Sequence, residues 1–191
     1  MAENSALIIA ASDDARASLS SMVLEAGISD ISAADGKNIR ELIPAKTYSV
    51  ILPVLPLEDE FGLEAVSYIN KMSDASLVVF APSKVYDEVC AKIIRLGITV
   101  LPKSAPRNLA VNSIRAAAAS KIKLDELRAE NETLRNMVNE MKLVNRAKCV
   151  LIEYLRISEK EAHRQIQKRA MDQRITLTEV AADILKTYEY R

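Results

Sequence analysis

Residues 48–66 read YSVILPVLPLEDEFGLEAV: a run of branched apolar residues, a tip bounded by Pro53 and Pro56, an acidic loop, and a helix-like segment after Gly62. A continuous apolar run of this length between turn residues is a strand covered on both faces, which calls for helices on both sides of a parallel sheet. The signature recurs along the first part of the chain. ALIIAA (6–11), SVILPVL (49–55) and SLVVFA (76–81) have the length and branching of buried strands, ITVL (98–101) is a shorter version and DISAA (30–34) a weaker one. Between them, Asp13 or Asp14 caps a helix that carries Leu19, Val23 and Leu24 and ends at Gly27. Further helices are predicted over 38–43, 63–72, 86–96 and 107–119. Five strand–helix units in succession predict an α/β fold with a doubly wound five-stranded parallel sheet.

Beyond residue 120 the apolar period changes. Leu124, Leu127, Asn131, Leu134, Val138 and Met141 alternate in steps of three and four, the seam of a coiled coil rather than the wider face of a globular helix. An amide at an a-position, here Asn131, is best satisfied by its counterpart across a two-stranded interface, and Glu130 and Arg135 are spaced to pair between chains. These six residues are the expected homodimer contact. No Pro or Gly occurs from 107 to the end, which predicts one long helix leading into a small three-helix all-α domain. Ser158 with Glu161 is a capping box for its second helix, whose inner face takes Ala162, Ile166, Ala170 and Met171, and Thr176 or Thr178 opens the third. The resulting division is 1–119, a coiled-coil helix over 120–144, and a helical domain over 145–191.

Composition narrows the function. The 26 basic and 26 acidic residues of the 191 cancel, so any argument for a nucleic-acid partner rests on local charge. Charge is in fact divided: 142–191 holds 11 basic against 7 acidic residues. Cys90 and Cys149 lie in helix-like patterns with no CxxC and no cluster of other ligands, and read as small packing residues; neither a metal nor any other cofactor is expected. No apolar run is long enough for a signal-peptide core or a membrane span, so a cytoplasmic protein is expected, with no membrane partner. His163 is the only histidine, no Ser or Cys has a base at a recognisable spacing, and the four glycines form no phosphate loop. An enzyme is not expected.

The first 120 residues resemble the receiver domain of two-component response regulators, a CheY-like member of the flavodoxin-like folds. LIIAASDDARASLSSMVLEAG matches the family's first strand and helix, PLEDEFGLEAV its third loop and helix, and LGITVLPKS its last strand with the lysine. The resemblance implies an acidic pair for Mg2+, a phospho-accepting Asp, a switch hydroxyl and a Lys. At those positions this chain has Ala10 and Ala11, Val54, Ala81 (with Pro82 and Ser83 following), and Lys103; only the lysine matches. In the following loop, Asp59 is the nearest candidate to replace the acceptor, several residues beyond the strand tip. A site without a nucleophile or hard oxygen ligands cannot run phosphoryl transfer. Control is therefore expected from a sensor protein, a small ligand or abundance, and the receiver surface usual for partners holds Tyr86, Val89, Ile93 and Leu101.

Residues 145–185, NRAKCVLIEYLRISEKEAHRQIQKRAMDQRITLTEVAADIL, resemble the ANTAR domain, the RNA-binding output module of antitermination regulators. The matching features are Ala147-Lys148, S-x-x-E-A at 158–162, A-M-D after Arg169, and L-x-E-V-A at 177–181. Cys149 and His163 depart from the usual Gly and aromatic residue. The resemblance implies binding of mRNA leader hairpins, with Lys148, Arg164, Lys168 and Arg169 leading and Arg146 and Arg174 behind them. The order of parts also resembles amidase-operon antiterminators, whose receiver-like domain is governed by a ligand-sensing partner. The competing expectation is a protein-interaction or DNA-binding regulatory module controlled by a sensor.

Overall fold

The computed structural model describes residues 4–37, 39–57 and 62–189. Asn38, the loop acids Glu58, Asp59 and Glu60, and Arg191 lie outside the described residues. The chain forms two compact units, Met1–Glu126 and Leu127–Arg191. The first runs β1 (Ser5–Ile9), α1 (Asp13–Glu25), β2 (Asp30–Ala34), α2 (Ile39–Ala45), β3 (Val50–Pro53), α3 (Leu63–Met72), β4 (Ser76–Ala81), α4 (Tyr86–Ile93), a 3-10 turn (Ile94–Leu96) and β5 (Thr99–Pro102). Then α5 (Arg107–Leu155) continues from the first unit into the second, followed by α6 (Glu159–Gln173) and α7 (Leu177–Glu189).

The sheet order is β2-β1-β3-β4-β5 with every pairing parallel, the doubly wound topology expected. Side chains alternate across a strand, so each buried strand feeds two cores. Leu7, Ile9, Ile51 and Val79 face the core that holds Val66 and Ile69 of α3 and Val89 of α4. Ala6, Ile8, Val50, Leu52 and Val78 face the other, with Leu19 and Val23 of α1 and Ala110 and Ile114 of α5.

Several expectations are corrected. Ser12, not Asp13 or Asp14, caps α1: its hydroxyl accepts from Ala15 N at 3.3 Å, and the two acids occupy the first turn. Leu24 lies on the solvent side of α1, one residue past buried Val23. β1 spans 5–9 rather than 6–11, and β3 stops at Pro53, after which only a single bridge from Val54 to Phe80 continues the pairing. Of the four residues on the usual partner surface, some of which had to be core, Val89 and Ile93 of α4 and Leu101 of β5 are buried, and half-buried Tyr86 donates its hydroxyl to Val100 O.

The second unit closes around Ala147, Val150 and Leu151 of α5, Ala162, Ile166 and Ala170 of α6, and Val180, Ala181, Ile184 and Leu185 of α7. Met171 is not on that inner face; it is 79% exposed. One residue past Ala170 turns it about 100° away from the core. Cys149 is exposed for the same reason, standing about 200° from Ala147 on α5, and Cys90 is half-buried. The capping box at α6 is present in full, and Thr176 with Glu179 makes its equivalent at α7. Both helix junctions turn on an arginine in left-handed backbone, Arg156 (φ 54°) and Arg174 (φ 55°).

Candidate functional site

At the carboxyl ends of the strands, where a doubly wound sheet presents its site, the backbone is tightly stitched. Val54 N donates to Ile9 O, Leu55 N to Phe80 O and Lys103 N to Ala81 O, each at 2.8 Å. Ala10 and Ala81 are fully buried, Val54 is buried, and Ala11 is exposed. The polar group among them is a cation: the Arg16 guanidinium donates to the Ala10 carbonyl and the Asp13 carboxylate. Nearby Asp35 accepts from Lys37 N at 3.0 Å, and that bond, with the charges of Lys37 and Arg16, holds its pKa below the ordinary Asp range.

Apolar side chains fill the described interior of this pole. Leu55 and Leu57 turn inward to join Ile9 in one core. Gly62 permits this, because a Cβ there would lie 2.5 Å from Leu55 Cδ2 and its φ of +65° suits glycine; a Cβ on Gly36 would lie 3.3 Å from Leu57 Cδ2. Lys103 is exposed, and the Ser83 and Ser104 hydroxyls are 3.2 Å apart beside it. Among the described residues no group of three His, Cys, Asp or Glu is placed to hold a metal. Arg16 marks the register of the receiver resemblance in the sequence, but its bond to the Ala10 carbonyl, like the inward turn of Leu57, depends on the loop conformation.

On the three-helix unit, Arg164, Lys168, Arg169 and Arg174 are exposed, as is Arg146. Lys148 differs. Its side chain is only 16% exposed and its ammonium meets Glu159 at 2.8 Å, tying α5 to the first turn of α6. That bond is the main cause holding Glu159 below the usual carboxylate range. Helix geometry separates the other cations. Arg164 and Lys168 each stand about 200° from buried Ile166, on the outer side of α6, whereas Arg169 is only about 60° from Ile166 and flanks the core. His163 is half-buried, with Nδ1 enclosed and without a hydrogen-bond partner among the described residues. The Tyr154 and Tyr188 rings meet at 5.2 Å between centroids, tilted by 49°, joining the ends of α5 and α7.

Residues 132–185 match the family model of the ANTAR domain. The chain thus joins a CheY-like α/β fold to a helical unit that matches the ANTAR model. It is 27% identical over 183 residues to the transcriptional regulatory protein PdtaR of Mycobacterium tuberculosis, covering 94% of this chain and 89% of that protein. Among solved structures, the response regulator StyR superposes with a TM-score of 0.64 at 13% identity, over 98% of this chain and 100% of that one. A CheY-like receiver domain protein from Methanospirillum hungatei JF-1 gives 0.55 at 14% identity, over 63% and 97%. At these identities the solved structures speak for the fold. The ANTAR match begins at Glu132, inside α5, so the domain's first helix is the far part of α5, with α6 and α7 completing it. No helix among the described residues is long and apolar enough to cross a membrane.

Proposed function

We propose that this ANTAR-type regulator is a cytoplasmic, dimeric RNA-binding antiterminator, and that its receiver fold works without phosphorylation. The observation that carries the reading is the ANTAR match over 132–185, on a unit whose exposed face bears arginine and lysine. Phosphate contacts from those side chains supply affinity, and unstacked loop bases of an mRNA leader hairpin supply readout. Holding that hairpin excludes a competing terminator, and transcription continues.

The receiver half of the proposal rests on the strand-tip pole. Mg2+ needs oxygen ligands and the phosphoryl group needs a nucleophile, and alanines at 10, 11 and 81 with Val54 offer neither, while Arg16 places a positive charge there. Control then comes through a sensor protein docking on the receiver fold; the chain itself catalyses nothing. Dimerisation uses the α5 seam, whose Leu124, Leu127, Leu134, Val138 and Met141 remain exposed on the single chain, with Asn131 among them. We accordingly divide the chain functionally at about 119 and 144.

The test is an electrophoretic shift of the full chain on RNA copied from its own upstream leader, over a salt series, with duplex DNA of equal charge alongside and with or without acetyl phosphate. Hairpin binding that is salt-steep, stronger than to the duplex and indifferent to acetyl phosphate is expected. Equal or stronger binding to the duplex would favour a DNA-binding module, and no binding to either a protein-docking one.

A further inference from the structure

The outer side of α6 carries more than the cations that its sequence singles out. Lys160, Arg164 and Lys168 follow one another at four-residue spacing, so they climb the helix in steps of about 6 Å. Met171 lies beside the top of that row. Measured around the axis from buried Ile166, the four side chains fall within a sector of about 80° on the far side, and Arg169 falls outside it. All four are exposed, and among the described residues none of the three cations makes an ion pair.

Two of the four stand where a purely structural surface would not place them. Lys160 lies in the first turn of α6, where the helix dipole favours acids, and a cation there is mildly destabilising. Met171 is the most exposed large apolar side chain among the described residues. The acids of the first turn are meanwhile held off the row: Glu159 is bonded to Lys148 and Glu161 to Ser158 N and Oγ. Asp172 borders its far end.

The geometry points to this row as the RNA-contacting face of the ANTAR domain: Lys160, Arg164 and Lys168 follow one strand of phosphates, and Met171 lies against an unstacked loop base. The inference rests on the RNA-binding reading above and deepens it by assigning Lys160 and Met171 as contacts and Lys148 as a positioning residue that fixes α6 against α5. Three cations on successive turns match a phosphate backbone by charge and by regular spacing, and a flexible thioether makes apolar contact with any base face.

Filter binding of the full chain to its leader RNA over a salt series, with thermal unfolding of each variant, tests this. Lys160→Gln and Lys168→Gln should each reduce the slope of log affinity against log salt by about 0.7–0.9. Met171→Ala should weaken hairpin binding several-fold, leaving the slope and the binding to loopless duplex RNA unchanged. Lys148→Gln should lower the unfolding midpoint and leave the slope intact. Wild-type slope in Lys160→Gln, or a reduced slope in Lys148→Gln with unchanged unfolding, would overturn the assignment while leaving RNA binding standing. If wild-type protein shows no salt-dependent RNA binding, the underlying reading falls and the assignment with it.

Discussion

In the proposed receiver reading Val54 replaces the phospho-accepting Asp, and its side chain is buried in the core shared with α1 and α5. Leu55 and Leu57 pack into the core on the other face of the sheet, and Ala10, whose carbonyl accepts from Arg16, offers no side-chain oxygen to a metal. Restoring the carboxylate alone therefore should not restore the chemistry. Val54→Asp is expected to lose at least about 1–3 kcal/mol, because it puts a carboxyl into an apolar core. It should also take up no phosphate from acetyl phosphate; denaturant unfolding reads the first effect and a phosphate-affinity gel the second. Gly62 is the residue on which the remodelled tip turns. Gly62→Ala should cost about 1–3 kcal/mol, combining left-handed backbone with the clash on Leu55, and Gly97→Ala less, since at φ +71° a Cβ there meets nothing within 4 Å. Equal losses in the two variants would mean that Leu55 moves aside without resistance.

At the scale of elements, α6 and α7 open with the same device, a hydroxyl–carboxylate box in which Glu161 or Glu179 reaches back to the cap residue. Bonds from Ser158 and Thr176 hold these two carboxyls below the ordinary Glu pKa, and the Lys148 bond does the same for Glu159. A depressed folded-state pKa contributes stability that is present above the unfolded value, about 4.3, and is lost as pH falls through the folded one. The three-helix unit should accordingly lose helicity on acidification below about pH 5. Glu161→Gln and Glu179→Gln should flatten that fall in circular dichroism; an unaltered profile in the double variant would place the acid sensitivity elsewhere. These boxes show what sequence discloses well. Ser158-x-x-Glu161 is a local pattern with a local cause, as are the alternating strands, and β2, α3 and β4 were legible to the residue. What sequence hides is the direction in which a side chain leaves its element. Met171 continues the apolar spacing of Ala162 and Ile166 yet points to solvent, Lys148 reads as a surface cation yet is engaged by Glu159, and which of Tyr86, Val89, Ile93 and Leu101 close the core shows only in the packed fold. Each depends on which neighbour the packed fold supplies.

At the scale of the molecule, α5 belongs to both units, so any association along its seam joins two receiver folds and two ANTAR domains at once. Its seam residues have little to do in a single chain: Leu134 is 54% and Met141 65% exposed. A helix of 49 residues with that stripe uncovered is expected to find a second copy. Asn131 then interrupts an otherwise apolar contact, weakening it while fixing register and strand number. Asn131→Leu should raise the unfolding midpoint and broaden the distribution of oligomers in sedimentation, whereas Leu134→Asp should give monomers whose two units keep their helicity. The consequence for RNA follows from effective concentration. A leader with two hairpins within reach of one dimer should bind the wild type about 10²–10⁴-fold more tightly than a leader with one, and Leu134→Asp should bind both leaders with the single-hairpin affinity. If the monomeric variant still prefers the two-hairpin leader, the pairing of RNA elements is read within one ANTAR domain and the seam serves some other purpose. If the wild type shows no preference, the dimer presents only one domain at a time.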